Sequence, residues 1–216
     1  MKKNQTSESF LIGAILSFSG GLQDAYTYNC RNQVFANAQT GNIVLMSQHL
    51  MMRNWKIGIY YFLPTIAFAL GILVAERIGY RYKEKSNIHW RQIILGIEII
   101  ILSAVGFISN RHNMVANMMV SFSCAMQVQT FRTVHGYGYA STMCIGNLRS
   151  GMESLSIYLR KKEQKQLIKS LHYFGIIIIF ALGAGMGGIL TIQLGLRTIW
   201  ICSTLLVTAF LIMFNN

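Results

Sequence analysis

The sequence predicts an all-α, polytopic membrane protein: six transmembrane helices arranged as two inverted three-helix repeats, each with a segment broken at a Gly-Asn pair. Three observations point there. First, of 216 residues 53% are apolar and only 12% charged, about half the charged share of an average soluble domain. The mean hydropathy of +0.41 agrees. Second, six stretches are apolar over close to the ~20 residues that cross the hydrocarbon core. Third, short motifs recur in the same order in the second half of the chain.

The six stretches are 10–29, 57–76, 92–109, 113–131, 171–190 and 198–214. The first follows MKKNQTSES and imitates a signal peptide, but it has no clear small-x-small cleavage site and five more spans follow. It reads as an uncleaved first helix. The third holds an acid, Glu98, at its centre. The fifth is rich in glycine, with Gly183, Gly185, Gly187 and Gly188. Glycines at such spacing permit close helix packing and offer a face for a homo-oligomer. Trp55, Trp90 and Trp200 fall near span ends, where amphipathic rings anchor at the interface.

Two further stretches, 34–52 and 137–159, are long enough to cross, yet each contains a polar Gly-Asn pair. In the second, Arg149 and Glu153 stand four apart and pair on one helical face. The positive-inside rule decides between six and eight spans. With six, 14 Lys and Arg fall inside and 5 outside, Arg31 among the outer ones; with eight the split is 10 to 8 and Arg149 stays in the membrane. Short basic loops set orientation, so six spans fit better, with Lys2, Lys3 and both termini cytoplasmic. The same rule accounts for the net charge of +12. No recognition motif accompanies it, so nucleic acid is not an expected partner. The expected partners are the lipid bilayer and a small-molecule or ion solute.

The repeats run over about 1–110 and 111–216. Tyr61-Phe62 and Phe68-Ala69-Leu70-Gly71 return 112 positions later as Tyr173-Phe174 and Phe180-Ala181-Leu182-Gly183. Thr40-Gly41-Asn42 returns 105 positions later as Ile145-Gly146-Asn147, and Gly21 to Ala25 loosely returns 104 later as Ala125 to Gln129. Each copy has three sure spans. Three is odd, so the second copy is inverted and its Gly-Asn segment enters from the opposite side. Broken segments meeting near the midplane are a recurring transporter design. Their free backbone groups must face protein or a water-filled cavity, and a helix N-terminus there favours anions. The plainer reading is that Thr40, Asn42 and Asn147 cap helices or bond across them.

These residues also carry a resemblance. A first helix ending Gly-Gly-Leu-Gln-Asp-Ala, then Thr-Gly-Asn-Ile, then Gln-x-x-x-Phe-Arg and Ile-Gly-Asn-Leu, resemble the YoaK-like family of bacterial membrane proteins, from about Phe10 to the end. Ile145 and Val128 stand where that family usually has Thr and Asn. The resemblance implies six spans in a bacterial inner membrane, and brings no substrate or reaction with it.

The candidate solute site is Gln23, Asp24, Thr40, Gly41, Asn42, Gln127, Gln129, Gly146 and Asn147. An intramembrane acid is expensive and faces a partner or water. Asp24 there carries protons or binds a cation; otherwise it ends its helix at the interface. Glu98 is a candidate proton relay, or a structural hydrogen-bonding group. Chemistry of other kinds finds little footing. Cys30, Cys124, Cys144 and Cys202 form no CxxC pair, and the five His have no HExxH-like spacing. No metal or cofactor is expected. With one Asp and no GxSxG there is no hydrolase triad. The expected function is therefore a small-solute transporter or channel. The alternatives are an intramembrane enzyme using Asp24 or Glu98, and an accessory subunit docked through glycine-rich faces.

Overall fold

The computed structural model describes residues 6–83 and 89–214. Lys2, Lys3 and Lys85, all counted in the charge argument, lie outside the described residues. The fold is all-α apart from one small hairpin. The helices are α1 (Phe10–Cys30), α2 (Gln39–Met51), α3 (Trp55–Tyr82), α4 (Trp90–Val105), α5 (Asn113–Thr130), α6 (Cys144–Lys161), α7 (Gln164–Leu194) and α8 (Ile199–Phe214). The hairpin pairs β1 (Thr133–Val134) with β2 (Tyr137–Gly138). Its two-residue turn, His135-Gly136, has positive φ at both positions, as a tight hairpin requires.

Each of the six apolar stretches is helical. Two regions are long and apolar enough to cross a membrane, Trp55–Tyr82 and Gln164–Phe214. Only 28% and 22% of their most apolar windows are buried inside the protein. Large side chains such as Leu73, Ile189 and Ile192 therefore face outward. Ser9 caps α1 by accepting from the Ile12 N–H. The chain's single Pro, Pro64, sits inside α3, where Thr65 Oγ1 donates to the Tyr61 carbonyl beside it. Trp55 is exposed, whereas Trp200 is tucked against Gly106 and donates to the Ser103 carbonyl at 3.1 Å.

Side-chain bonds fix which helix ends lie together. Arg31, just past α1, is fully buried. Its guanidinium donates to the carbonyls of Val105 (3.1 Å), Ile108 (2.9 Å) and Ser109 (3.4 Å) beyond α4, to Asn113 Oδ1 (2.9 Å) at the start of α5, and to the Tyr26 hydroxyl (2.9 Å). Charge counting placed Arg31 in an outer loop; the structure shows that it is buried there and closes the C-terminal end of α4, whose carbonyls lack intrahelical donors. Asn32 donates to the Tyr60 hydroxyl near the start of α3. The ends of α1 and α4 and the starts of α3 and α5 thus share one end of the molecule. At the opposite end Arg91 of α4 pairs with Glu8 before α1 (2.9 Å). There the His135 N–H, beyond α5, donates to the Glu8 carbonyl (2.8 Å). α7 runs parallel to α1, with Ile176 beside Gly13 and Asn29 bonded to Thr191 at 2.9 Å.

The helices of the two Gly-Asn segments, α2 and α6, behave differently. Both begin beside the middle of α1, since Asn37 Nδ2 donates to the Gly20 carbonyl (3.3 Å) and Thr142 packs on Gly20. From there α2 returns to the first end, where α3 starts, and α6 runs to the other, where Ser170 of α7 donates to the Gly151 carbonyl (2.9 Å). The break expected at Gly-Asn is displaced. Non-helical chain precedes α2 and α6, and each Gly-Asn pair forms the first turn of its helix.

Packing pairs α1 with α7 and α3 with α5, α2 with α3 and α6 with α7, α4 with α8, α4 with α5 and α1 with α8. Two close approaches carry this. A Cβ on Gly183 would collide with the Phe18 backbone oxygen of α1, and one on Gly71 with the Phe122 backbone oxygen of α5. Gly187 is likewise closed by Leu22 and Ala25. The glycine face expected to serve an oligomer is thus partly taken up inside the protein, because α1 covers Gly183 and Gly187; Gly185 and Gly188 have nothing within contact distance.

Candidate functional site

Between the first turns of α2 and α6 lies a cavity of about 860 Å³. This is within the range that holds a small organic molecule. Its wall comes from the C-terminal part of α1 (Asp24, Ala25, Tyr28, Asn29), the entry to α2 (Phe35 and Asn37 to Thr40), the entry to α6 (Thr142 to Gly146), and the facing sides of α3 (Phe68) and α7 (Phe180, Ala184, Gly188). Three of the expected site residues line it: Asp24, Thr40 and Gly146.

The other expected residues support the wall or lie elsewhere. Asn42 is buried and donates to the Phe35 carbonyl at 2.8 Å; Asn147 is buried and donates to the Ala140 carbonyl at 2.7 Å. Each reaches back seven residues and ties the non-helical entry to its own helix. Gly41 contacts Phe35 from behind. Gln23 is bonded to Ser19 (3.1 Å) and accepts from the Cys124 thiol (2.9 Å). Gln127 donates to Ser141 (2.9 Å) and to the Leu16 carbonyl (3.3 Å), holding the α6 entry onto α1. Gln129 bonds Glu76 near the far ends of α5 and α3, away from the cavity. Arg149 and Glu153 both stay exposed on α6.

Asp24 is buried, and its Oδ1 accepts the Asn37 N–H at 2.9 Å, one residue before the non-helical chain turns toward α2. The carboxylate meets the positive end of the α2 approach, where an acidic group is stabilised. The first backbone N–H groups of α2 are also engaged: Gln39 with the Asn37 carbonyl and Gly41 with that of Ala38. Glu98 does not reach the cavity. It is fully buried in α4 and neither of its oxygens has a hydrogen-bond partner among the described residues.

A second cavity of about 640 Å³ opens at the end where α1 finishes, lined by amides including Asn29, Asn32, Gln33, Asn110 and Asn113. It shares Tyr28 and Asn29 with the central cavity. Tyr28 stacks on Phe35 at 4.9 Å, so an aromatic pair stands where the two spaces adjoin. Sequence reasoning did not single out Tyr28, Asn37, Phe68 or Phe180. The paired Phe-Ala-Leu-Gly motif was the available signal for the last two, since its Phe faces the cavity while its Gly packs on a neighbouring helix.

A family model described as "Protein of unknown function (DUF1275)" matches residues 12–212. No curated protein and no solved structure matches the chain.

Proposed function

The chain belongs to the DUF1275 family, and from that premise we propose that it is a multi-pass transporter or channel for a small solute, with its site in the cavity between α2 and α6. The carrying observation is that the helices of the two Gly-Asn segments start beside Gly20 and run to opposite ends of the molecule. In this reading α1, α3, α4, α5, α7 and α8 cross a bacterial cytoplasmic membrane, and α2 and α6 enter from opposite faces without crossing. Support for a lipid surround comes from the low burial of the two most apolar regions. A core helix of a soluble protein is mostly covered, whereas these expose long apolar faces that water would not stabilise. With the basic residues Arg77, Arg81, Lys83, Arg91 and Arg132 around one end, that end is cytoplasmic, as are both termini.

The repeat reading gains support from the pairing of helices. Exchanging α1 with α5, α2 with α6, α3 with α7 and α4 with α8 maps the main helix pairs described above onto one another. Asn42 and Asn147 make matching bonds, and Gly71 and Gly183 meet matching backbone oxygens on α5 and α1. A near-two-fold axis then passes through the cavity, and rocking of one repeat on the other exposes it to each side in turn. Glu98, buried and apart from the solute, is the proton-relay candidate.

Accessibility tests the proposal without knowledge of the solute. Thr40→Cys is placed in a background lacking the four native Cys, with Ser at Cys124 to retain a donor to Gln23. Right-side-out and inside-out vesicles are then treated with an impermeant thiol reagent. Labelling from both faces is expected. Labelling from one face alone, in every condition tried, contradicts alternating exposure.

A further inference from the structure

We infer that the central cavity selects an organic cation with an apolar or aromatic body, an inference that rests on the cavity being a solute site. Its wall carries one carboxylate, Asp24, and no Lys, Arg or His. In a chain with 19 Lys and Arg against 7 Asp and Glu, that segregation puts the only formal charge of the wall opposite in sign to the protein as a whole. Four aromatic rings, Tyr28, Phe35, Phe68 and Phe180, share that wall. Aromatic faces attract cations, and quaternary groups with their diffuse charge most characteristically. They also supply the apolar surface that a body of some size needs.

The opposing influence is the pair of helix N-termini at the rim, which on their own favour anions. Each is equivalent to roughly half a positive charge. The α2 terminus is answered from within the chain, because Asp24 already takes the Asn37 N–H and Ala38 and Asn37 carbonyls take those of Gly41 and Gln39. An anion entering would meet the Asp24 carboxylate at close range in a poorly solvated space, where like charges repel strongly. A cation would meet the carboxylate and the rings together. The geometry therefore favours positive charge in the solute.

Two ions of equal shape and opposite charge separate these influences: tetraphenylphosphonium and tetraphenylborate. Binding of each to the purified full-length protein in detergent is measured by equilibrium dialysis, with protein-free micelles as the baseline. The phosphonium is expected to bind saturably at one site per chain and the borate not to. Asp24→Asn keeps an acceptor for the Asn37 N–H and is expected to weaken phosphonium binding by about tenfold or more. Gly188→Leu, at a cavity position with open space around it, fills the volume and is expected to abolish binding while leaving the folded state intact. Preference for the borate, or phosphonium binding unchanged in both variants, overturns the inference. Because binding is read without a membrane, these outcomes are independent of the vesicle experiment: a cavity open to one face only can still prefer the cation, and a transporter can still reject it.

Discussion

Replacing Arg31 by Met is expected to leave almost no folded protein. Arg31 is the largest fully buried side chain, and its guanidinium joins the end of α1 to the end of α4 and the start of α5. Three backbone carbonyls, a side-chain amide and a tyrosine hydroxyl accept from it. Met fills a similar length but donates nothing. Each buried acceptor left without a donor costs about 1–3 kcal/mol, so the sum rivals the whole stability of a typical domain, about 5–15 kcal/mol. Arg31→Lys retains the charge yet cannot reproduce a planar fork reaching several acceptors, and is expected to recover only part of the loss. The measurement is the monodisperse fraction on size exclusion after extraction, for both variants beside the natural chain. Wild-type recovery of Arg31→Met would show that the guanidinium is not what holds these three helix ends.

The second large effect belongs to the glycines at the parallel helix pairs. Gly183→Leu drives a side chain into the backbone of α1 at Phe18, and Gly71→Leu drives one into α5 at Phe122. The obstacle is backbone, which cannot swing away as a flexible side chain does. Overpacking of this kind costs about 1–3 kcal/mol at each position, and more where backbone must move. The two variants are expected to lose thermal stability by similar amounts, since each blocks the corresponding contact of one repeat. Gly185→Leu is the control: it has open space around it, and a surface change of that kind stays within about 0.5 kcal/mol. Unfolding of the three proteins in one detergent, followed by thiol-reactive dye uptake at the free cysteines Cys124 and Cys202, ranks them. Equal stability for Gly183→Leu and Gly185→Leu would refute the tight α1–α7 contact.

Much of the fold is legible in the chain because its strongest signal is one-dimensional. Long apolar runs become helices whatever their neighbours, and the stretches beginning at Phe10 and Asn113 start where the sequence places them. The Gly-Asn segments were legible as irregular, but Asn42 and Asn147 neither cap a helix nor bond across to another one; each ties its non-helical entry to its own helix. What escaped was three-dimensional. Arg31 looks like any loop arginine in sequence; only the arrival of carbonyls from positions 105, 108 and 109 makes it a buried clamp. Gln129 shares a motif with Gln127, but lies two residues further along α5 and faces a different neighbour, Glu76. Phe68 and Phe180 were visible as a repeat, not as cavity walls, because helical periodicity gives a face without saying what that face meets.

The inverted arrangement in a membrane is tested most directly by where two exposed positions lie. Asn54 precedes α3 and Gln164 begins α7, and both are exposed. Single Asn54→Cys and Gln164→Cys variants of the Cys-free chain are labelled with an impermeant thiol reagent, in intact cells and after permeabilisation. Asn54→Cys is expected to react in intact cells and Gln164→Cys only after permeabilisation, which puts the two positions on opposite faces. Reaction of both, or protection of both, in intact cells would place them on one face and contradict the inverted repeats.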